Sequence, residues 1–209
     1  MKATKLFVVF AVVLVVESSL WGGGSGVAQS AAGAGLLEKL NDIETSEGTD
    51  AANQAFYALS AEDQQADTDY LTGPLSISPS AESIESTESS SQAAAASGCW
   101  NATTVIEGRR ASWPNSLFFK YNQYVNWCGN GSTVSNVRCS AYPSSLGYGY
   151  RFSNHLSYCV TTVSNGWQIS RFSQGSFCAG LEWCWVNRTP WLRQSVTANG
   201  GYWSSKGGL

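Results

Sequence analysis

Three patterns of apolar spacing follow one another along the chain. Residues 6–16 form an unbroken apolar run behind Lys2 and Lys5. The run is shorter than the roughly 20 residues a bilayer span needs. Its charged start and its small-residue exit at Gly26-Val27-Ala28, just before Gln29, are those of a secretory signal peptide. Helical spacing follows. Leu36, Leu37, Leu40 and Ile43 fall on one helical face, and Ala52, Ala55, Phe56 and Leu59 on another. Ser60, with Asp63 three residues on, predicts the start of a third short helix, and Gly73-Pro74 its end.

From residue 99 the period shortens to two. In residues 119–127, Phe119, Tyr121, Val125 and Trp127 share a face that Gln123 interrupts, while Lys120, Asn122, Tyr124 and Asn126 share the other. Residues 155–163 set Leu156, Tyr158 and Val160 opposite His155, Ser157 and Cys159. Residues 191–198 put Leu192, Val196 and Ala198 on one side. Turn residues separate these runs. Asn130-Gly131 is the strongest such signal, because tight hairpins need the positive φ that this pair tolerates. About seven short strands at this spacing predict an antiparallel β-sandwich.

Composition divides the chain further. Residues 75–98 are rich in Ser, Ala and Glu and read as a disordered linker. The expected organisation is a signal peptide over 1–28, an acidic, partly helical leader over 29–74, a linker over 75–98 and the sandwich over 99–209. Residues 29–98 carry twelve acids against one base, a net of −11. Residues 99–209 carry nine bases against two acids, a net of +7, and eight of the nine tryptophans. The overall charge of −3 thus hides two oppositely charged parts, and predicts an intramolecular contact between acidic leader and basic domain.

All six cysteines follow residue 98, and an even set in an exported chain reads as disulfides. Six cysteines allow 15 pairings. Five residues separate Cys178 from Cys184, wider than the two to four of usual zinc pairs, and His155 is the single histidine. Ala179-Gly180 lets the chain turn back, which favours a local Cys178–Cys184 bond. Cys139 and Cys159 flank the Pro143 loop and suit a second bond, leaving Cys99–Cys128 as the third. No metal and no cofactor are expected.

Cys99-Trp100, the Trp127-Cys128 pair before Asn130-Gly131, and the late cysteine pair before Pro190-Trp191 and residues 198–201 carry a resemblance. The chain from residue 99 onward resembles a family of uncharacterised small exported β-domain proteins of high-GC Gram-positive bacteria. That resemblance implies a fold and carries no activity. Cys139 and Cys159 stand outside its pattern, which supports pairing them with each other.

Catalytic signals are weak. Residues 99–209 contain no aspartate to orient His155 as a general base. Glu107 and Glu182 are the two carboxyls a glycosidase would need on either side of a scissile bond, if the fold brings them together. Binding fits the composition better, since aromatic rings stack on sugar faces and amide and hydroxyl groups bond to sugar hydroxyls. Tyr124, Trp185 and Trp203, with Arg171 and Arg193, are the candidate ligand-facing residues. The favoured role is an exported, non-catalytic module for cell-envelope glycans or anionic polymers, secreted or envelope-associated, with no membrane anchor after processing. Nucleic acid is disfavoured, because basic charge alone specifies no target. The alternatives are a bacteriocin-like antagonist with an acidic masking leader, and a small glycosidase acting through Glu107 and Glu182.

Overall fold

The computed structural model describes residues 25–79, 83–86, 97–112 and 115–209. The charged start and apolar run of the expected signal peptide, and most of the expected linker, lie outside the described residues. Three helices come first: α1 (Ser25–Glu47), α2 (Thr49–Tyr57) and α3 (Ala61–Thr72). The strands are β1 (Leu75–Pro79), β2 (Ser83–Ser86), β3 (Gly98–Arg110), β4 (Leu117–Gly129), β5 (Val134–Ser144), β6 (Tyr150–Ser164), β7 (Gln168–Ala179), β8 (Val186–Arg188), β9 (Trp191–Thr197) and β10 (Tyr202–Gly207).

Two antiparallel sheets form the sandwich. The first runs β1-β3-β4-β5, with β2 also on β3, and the second runs β10-β9-β7-β6, with β8 also on β7. Part of the stretch expected to be a disordered linker is therefore strand: residues 75–79 pair with residues 106–110, and residues 83–86 with residues 100–103. The reason is local as well as tertiary. Leu75 and Ile77 alternate with serines at the strand period, and the edge of β3 offers unpaired backbone groups.

The inward faces follow the alternation. Tyr121, Val125 and Trp127 of β4 are buried against Leu192 and Val196 of β9 and Phe177 of β7. Gln123, the polar interruption, is fully buried as well. Its amide donates to Ser173 Oγ at 3.2 Å. Gln194 answers from β9, donating to Thr104 Oγ1 at 2.8 Å and to the Tyr202 hydroxyl at 3.2 Å. This polar layer divides the interior into two apolar clusters, one around Trp127, Val125, Ala102 and Val196, the other around Phe118, Phe119, Tyr121, Tyr150 and Phe177.

Strand β6 turns its apolar set outward. Leu156, Tyr158 and Val160 are each about half exposed. Cys159 must face inward to bond Cys139 of the opposite sheet, and His155 must face inward for its Nδ1 to lie 3.0 Å from the Tyr121 hydroxyl. A period of two then sends the apolar set to solvent. The three disulfides are Cys99–Cys128 across β3 and β4, Cys139–Cys159 between the sheets, and Cys178–Cys184 closing the loop after β7.

The helices share the second apolar cluster. Leu37 and Leu40 of α1, Phe56 of α2 and Tyr70 and Leu71 of α3 are buried with Phe118, Tyr148 and Tyr150 of the sandwich. Helix α1 crosses α3 at Gly33, where a β-carbon would lie 2.6 Å from the Ala66 carbonyl oxygen. Ser60 caps α3: its Oγ accepts from the Asp63 amide at 3.1 Å and donates to Asp63 Oδ2 at 2.8 Å. Basic residues hold the other end of α3. Arg188 donates to the Thr72 and Gly73 carbonyls, each at 2.9 Å, and Arg110 to the Tyr70 carbonyl at 3.0 Å. Guanidinium groups at a helix C-terminus meet the free carbonyls and the negative end of the helix dipole. The leader-to-domain contact thus runs through apolar side chains and helix carbonyls.

Candidate aromatic groove

The seam between the helices and the sandwich leaves an open groove of about 360 Å³. One wall is helical: Phe56 and Tyr57 from α2, and Ala61, Gln64, Gln65 and Thr68 from α3. The other wall is the loop from Cys178 to Trp185, which contributes Glu182, Trp183 and Trp185. Spacing puts the α3 residues on one side of the helix, since positions three, four and seven apart lie above one another.

The loop is held at several points. Its disulfide joins Cys178, buried at the end of β7, to exposed Cys184. The Trp185 amide donates to the Ala179 carbonyl at 2.8 Å, and the Gly180 amide to the Gly149 carbonyl at 2.8 Å. Arg151 donates to the Leu181 carbonyl. Gly180 has φ +145°, and a β-carbon there would lie 2.2 Å from the Trp183 carbonyl oxygen. Only glycine fits so close a return. Trp185 packs at 6.4 Å between ring centres against Phe56, which joins the loop to α2. Trp183 is two-thirds exposed and Tyr57 about half exposed. The Tyr57 hydroxyl faces Glu182; desolvation first, and then the Glu182 carboxylate, raise its pKa above the ordinary value.

The groove takes up two residues that the sequence singled out, Trp185 and Glu182. The others lie elsewhere. Tyr124 is on the outward face of β4, because its neighbours Gln123 and Val125 point inward. Trp203 and Arg193 are on the outward side of the other sheet, with the Arg193 guanidinium 5.8 Å from the Phe172 ring centre. Arg171 donates to the Cys159 carbonyl and the Thr161 hydroxyl. Of these four, only Trp203 and Arg193 share a face, and none of the four lines the groove.

Glu107 and Glu182 are likewise set apart. Ile106 takes the core side of β3, so Glu107 points outward and meets Arg109 at 2.8 Å and Lys120, its cross-strand partner, at 3.0 Å. Burial works against the charged carboxylate, but the bonds and charges of Arg109 and Lys120 outweigh it and hold the pKa below the ordinary value. Glu107 is thus kept ionised in an ion-pair cluster with Arg109 and Lys120, while Glu182 sits in the groove. His155 is packed among Tyr121, Phe152 and Tyr158, and burial lowers its pKa.

Sequence reading did not find Tyr57, Gln64, Gln65, Thr68 and Trp183 as groove residues. Tyr57 carries a faint signal, being an aromatic outside the apolar stripe of its own helix. No known protein family, curated protein or solved structure matches the chain.

Proposed function

We propose that this is an exported, non-catalytic glycan-binding protein whose ligand lies in the groove between α2, α3 and the loop closed by Cys178–Cys184. The observation that carries this reading is the lining: exposed rings of Tyr57 and Trp183, the Trp185 ring beside them, and the amide and carboxylate groups of Gln64, Gln65 and Glu182. Flat rings cover the apolar faces of a sugar, and planar amides match pairs of vicinal hydroxyls. A concave, largely apolar site with few polar groups is the usual form of a ligand pocket. Three disulfides suit an oxidising, extracellular setting. No helix among the described residues is long and apolar enough to cross a membrane.

The anionic-polymer half of the expectation is left aside. Arg110 and Arg188 are tied to the end of α3, Arg109 and Lys120 to Glu107, Arg151 to Leu181, and Lys206 to the Val105 carbonyl. Such bases are spread over several faces and do not build one cationic track. The test is a sedimentation assay with insoluble cell-envelope glycan, comparing the unaltered chain with Trp183→Ala. Retention that drops at least fivefold in the variant supports the reading. Retention equal in both, or none in either, overturns it.

A further inference from the structure

We propose that the glycan recognised by the groove carries free protonated amines, as a de-N-acetylated amino-sugar polymer does, and that Glu182 takes the ammonium group between the rings of Tyr57 and Trp183. This rests on the glycan reading above. Glu182 is the charged group among the lining residues, and it is exposed. Among the described residues no base lines the groove: Arg151, which reaches the same loop, donates to the Leu181 carbonyl instead. The helical wall adds negative charge. Exposed Glu62 and Asp69 flank the lining positions on α3, and Asp69 accepts from Gln65 at 2.7 Å. An anionic or carboxylated sugar would be repelled here, and a neutral one would bring hydroxyl donors to the carboxylate but no charge to balance it.

The aromatic part of the lining points the same way. The face of a Tyr or Trp ring carries partial negative charge and attracts an ammonium within about 6 Å. Rings beside one carboxylate form a site that is both apolar and anionic, which suits a sugar ring bearing a cation. Tyr57 and Glu182 line the same groove, which puts ring and carboxylate on one ligand surface. Both walls of the site are fixed, one by the capped helix α3 and the other by the disulfide-closed loop.

The experiment is calorimetric titration of the full chain with a β-1,4-linked glucosamine oligomer and with its fully N-acetylated equivalent. It is repeated for Glu182→Gln and Trp183→Ala. Both positions are exposed, so folding is retained and is verified by circular dichroism. The amine oligomer should bind at least tenfold more tightly than the acetylated one. Glu182→Gln should abolish that preference by weakening the amine oligomer at least tenfold more than the acetylated one, and Trp183→Ala should weaken both. Equal binding of the two oligomers, with Trp183→Ala weakening both, would remove the amine inference and leave the glycan reading standing. An amine preference that survives Glu182→Gln would mean general attraction to an acidic surface and would also overturn the inference. Binding of neither oligomer removes both.

Discussion

The two ends of the sandwich are built in opposite ways. At the end where β4 runs into β5, strands cover their own core. Trp127 stacks near Trp100 and Tyr202, with its Nε1 donating to the Thr197 carbonyl at 3.2 Å. At the other end Phe118, Tyr148 and Tyr150 are covered by Leu37, Leu40, Phe56, Tyr70 and Leu71 from the helices. Tyr148 is the peg: its hydroxyl donates to Asn53 Oδ1 at 3.1 Å, and its amide to Asn41 Oδ1 at 2.6 Å. An end that closes on itself leaves no seam. An end closed by a separate segment leaves one, and the groove lies along it. The polar layer of Gln123 and Gln194 stands between the two clusters.

That difference is broken most severely by removing large side chains from each end. Trp127→Ala should cost about 3–5 kcal/mol, the usual loss for a buried tryptophan, and lower the denaturant midpoint of the whole sandwich. Leu71→Ala should cost about 2–5 kcal/mol. Its increased amide exchange should be confined to α1–α3 and the strand ends they cover. Equal acceleration of exchange around Trp127 would show that the two ends form one cooperative unit.

Asp67 sharpens the comparison through pH. It lies on α3 at 0% exposure, with neither carboxylate oxygen hydrogen-bonded among the described residues. Burial raises its pKa from 3.8 to about 7. The folded chain therefore holds a proton that the unfolded chain releases. The contribution to stability is full below the unfolded value, is lost as pH rises toward the folded value, and is flat beyond it. The slope is about 1.4 kcal/mol per pH unit at most, before relaxation of the site reduces it. Asp67→Asn should leave stability unchanged near pH 4 and raise it by roughly 2–3 kcal/mol at pH 8, a discounted form of the same shift. A gain that is the same at both pH values would contradict a buried, titrating carboxyl.

A smaller effect is expected where the seam meets the loop. Replacing Cys178 and Cys184 by Ser opens a loop with a sequence separation of 6. Chain-entropy arguments assign so short a loop about 2 kcal/mol, less than the wider Cys99–Cys128 loop. Ligand affinity should fall more than stability does, because Glu182 and Trp183 ride on that loop. Unchanged affinity would place the ligand elsewhere.

Much of this was legible from local spacing. The Ser60–Asp63 cap, the end at Gly73, and the inward face of β4 depend on residues a few positions apart. Even Gln123 announced itself by breaking an apolar face, although its partners Ser173 and Cys139 come from other strands. What local spacing misses is choice of face and choice of neighbour. Residues 155–163 alternate cleanly, and the pattern by itself sends the apolar side inward. The disulfide to Cys139 and the contact with Tyr121 send it out. Residues 75–79 look like linker because serine is weakly strand-forming, and become strand because β3 has an open edge. The groove needs Tyr57 and Trp183 to meet across 126 positions, as no local period can predict.

The smallest expected effect tests whether the helical wall of the groove is as fixed as its cap suggests. The free amides of a helix's first turn need acceptors, and Ser60 Oγ supplies one to the Asp63 amide while its hydroxyl donates to Asp63 Oδ2. Ser60→Ala removes both and should cost about 1 kcal/mol. Ser60→Asn, which keeps an acceptor at that position, should cost only a few tenths. The loss is local, because Ala61 and Gln64 at the start of α3 line the groove while Leu71 at its end holds the core. Amide exchange should accelerate over residues 61–64 in Ser60→Ala and stay slow near Leu71. Ligand affinity should drop two- to threefold in Ser60→Ala and recover in Ser60→Asn. Loss of exchange protection along the entire helix would mean that the cap anchors α3 to the sandwich, and that the two ends of the molecule differ less than their construction implies.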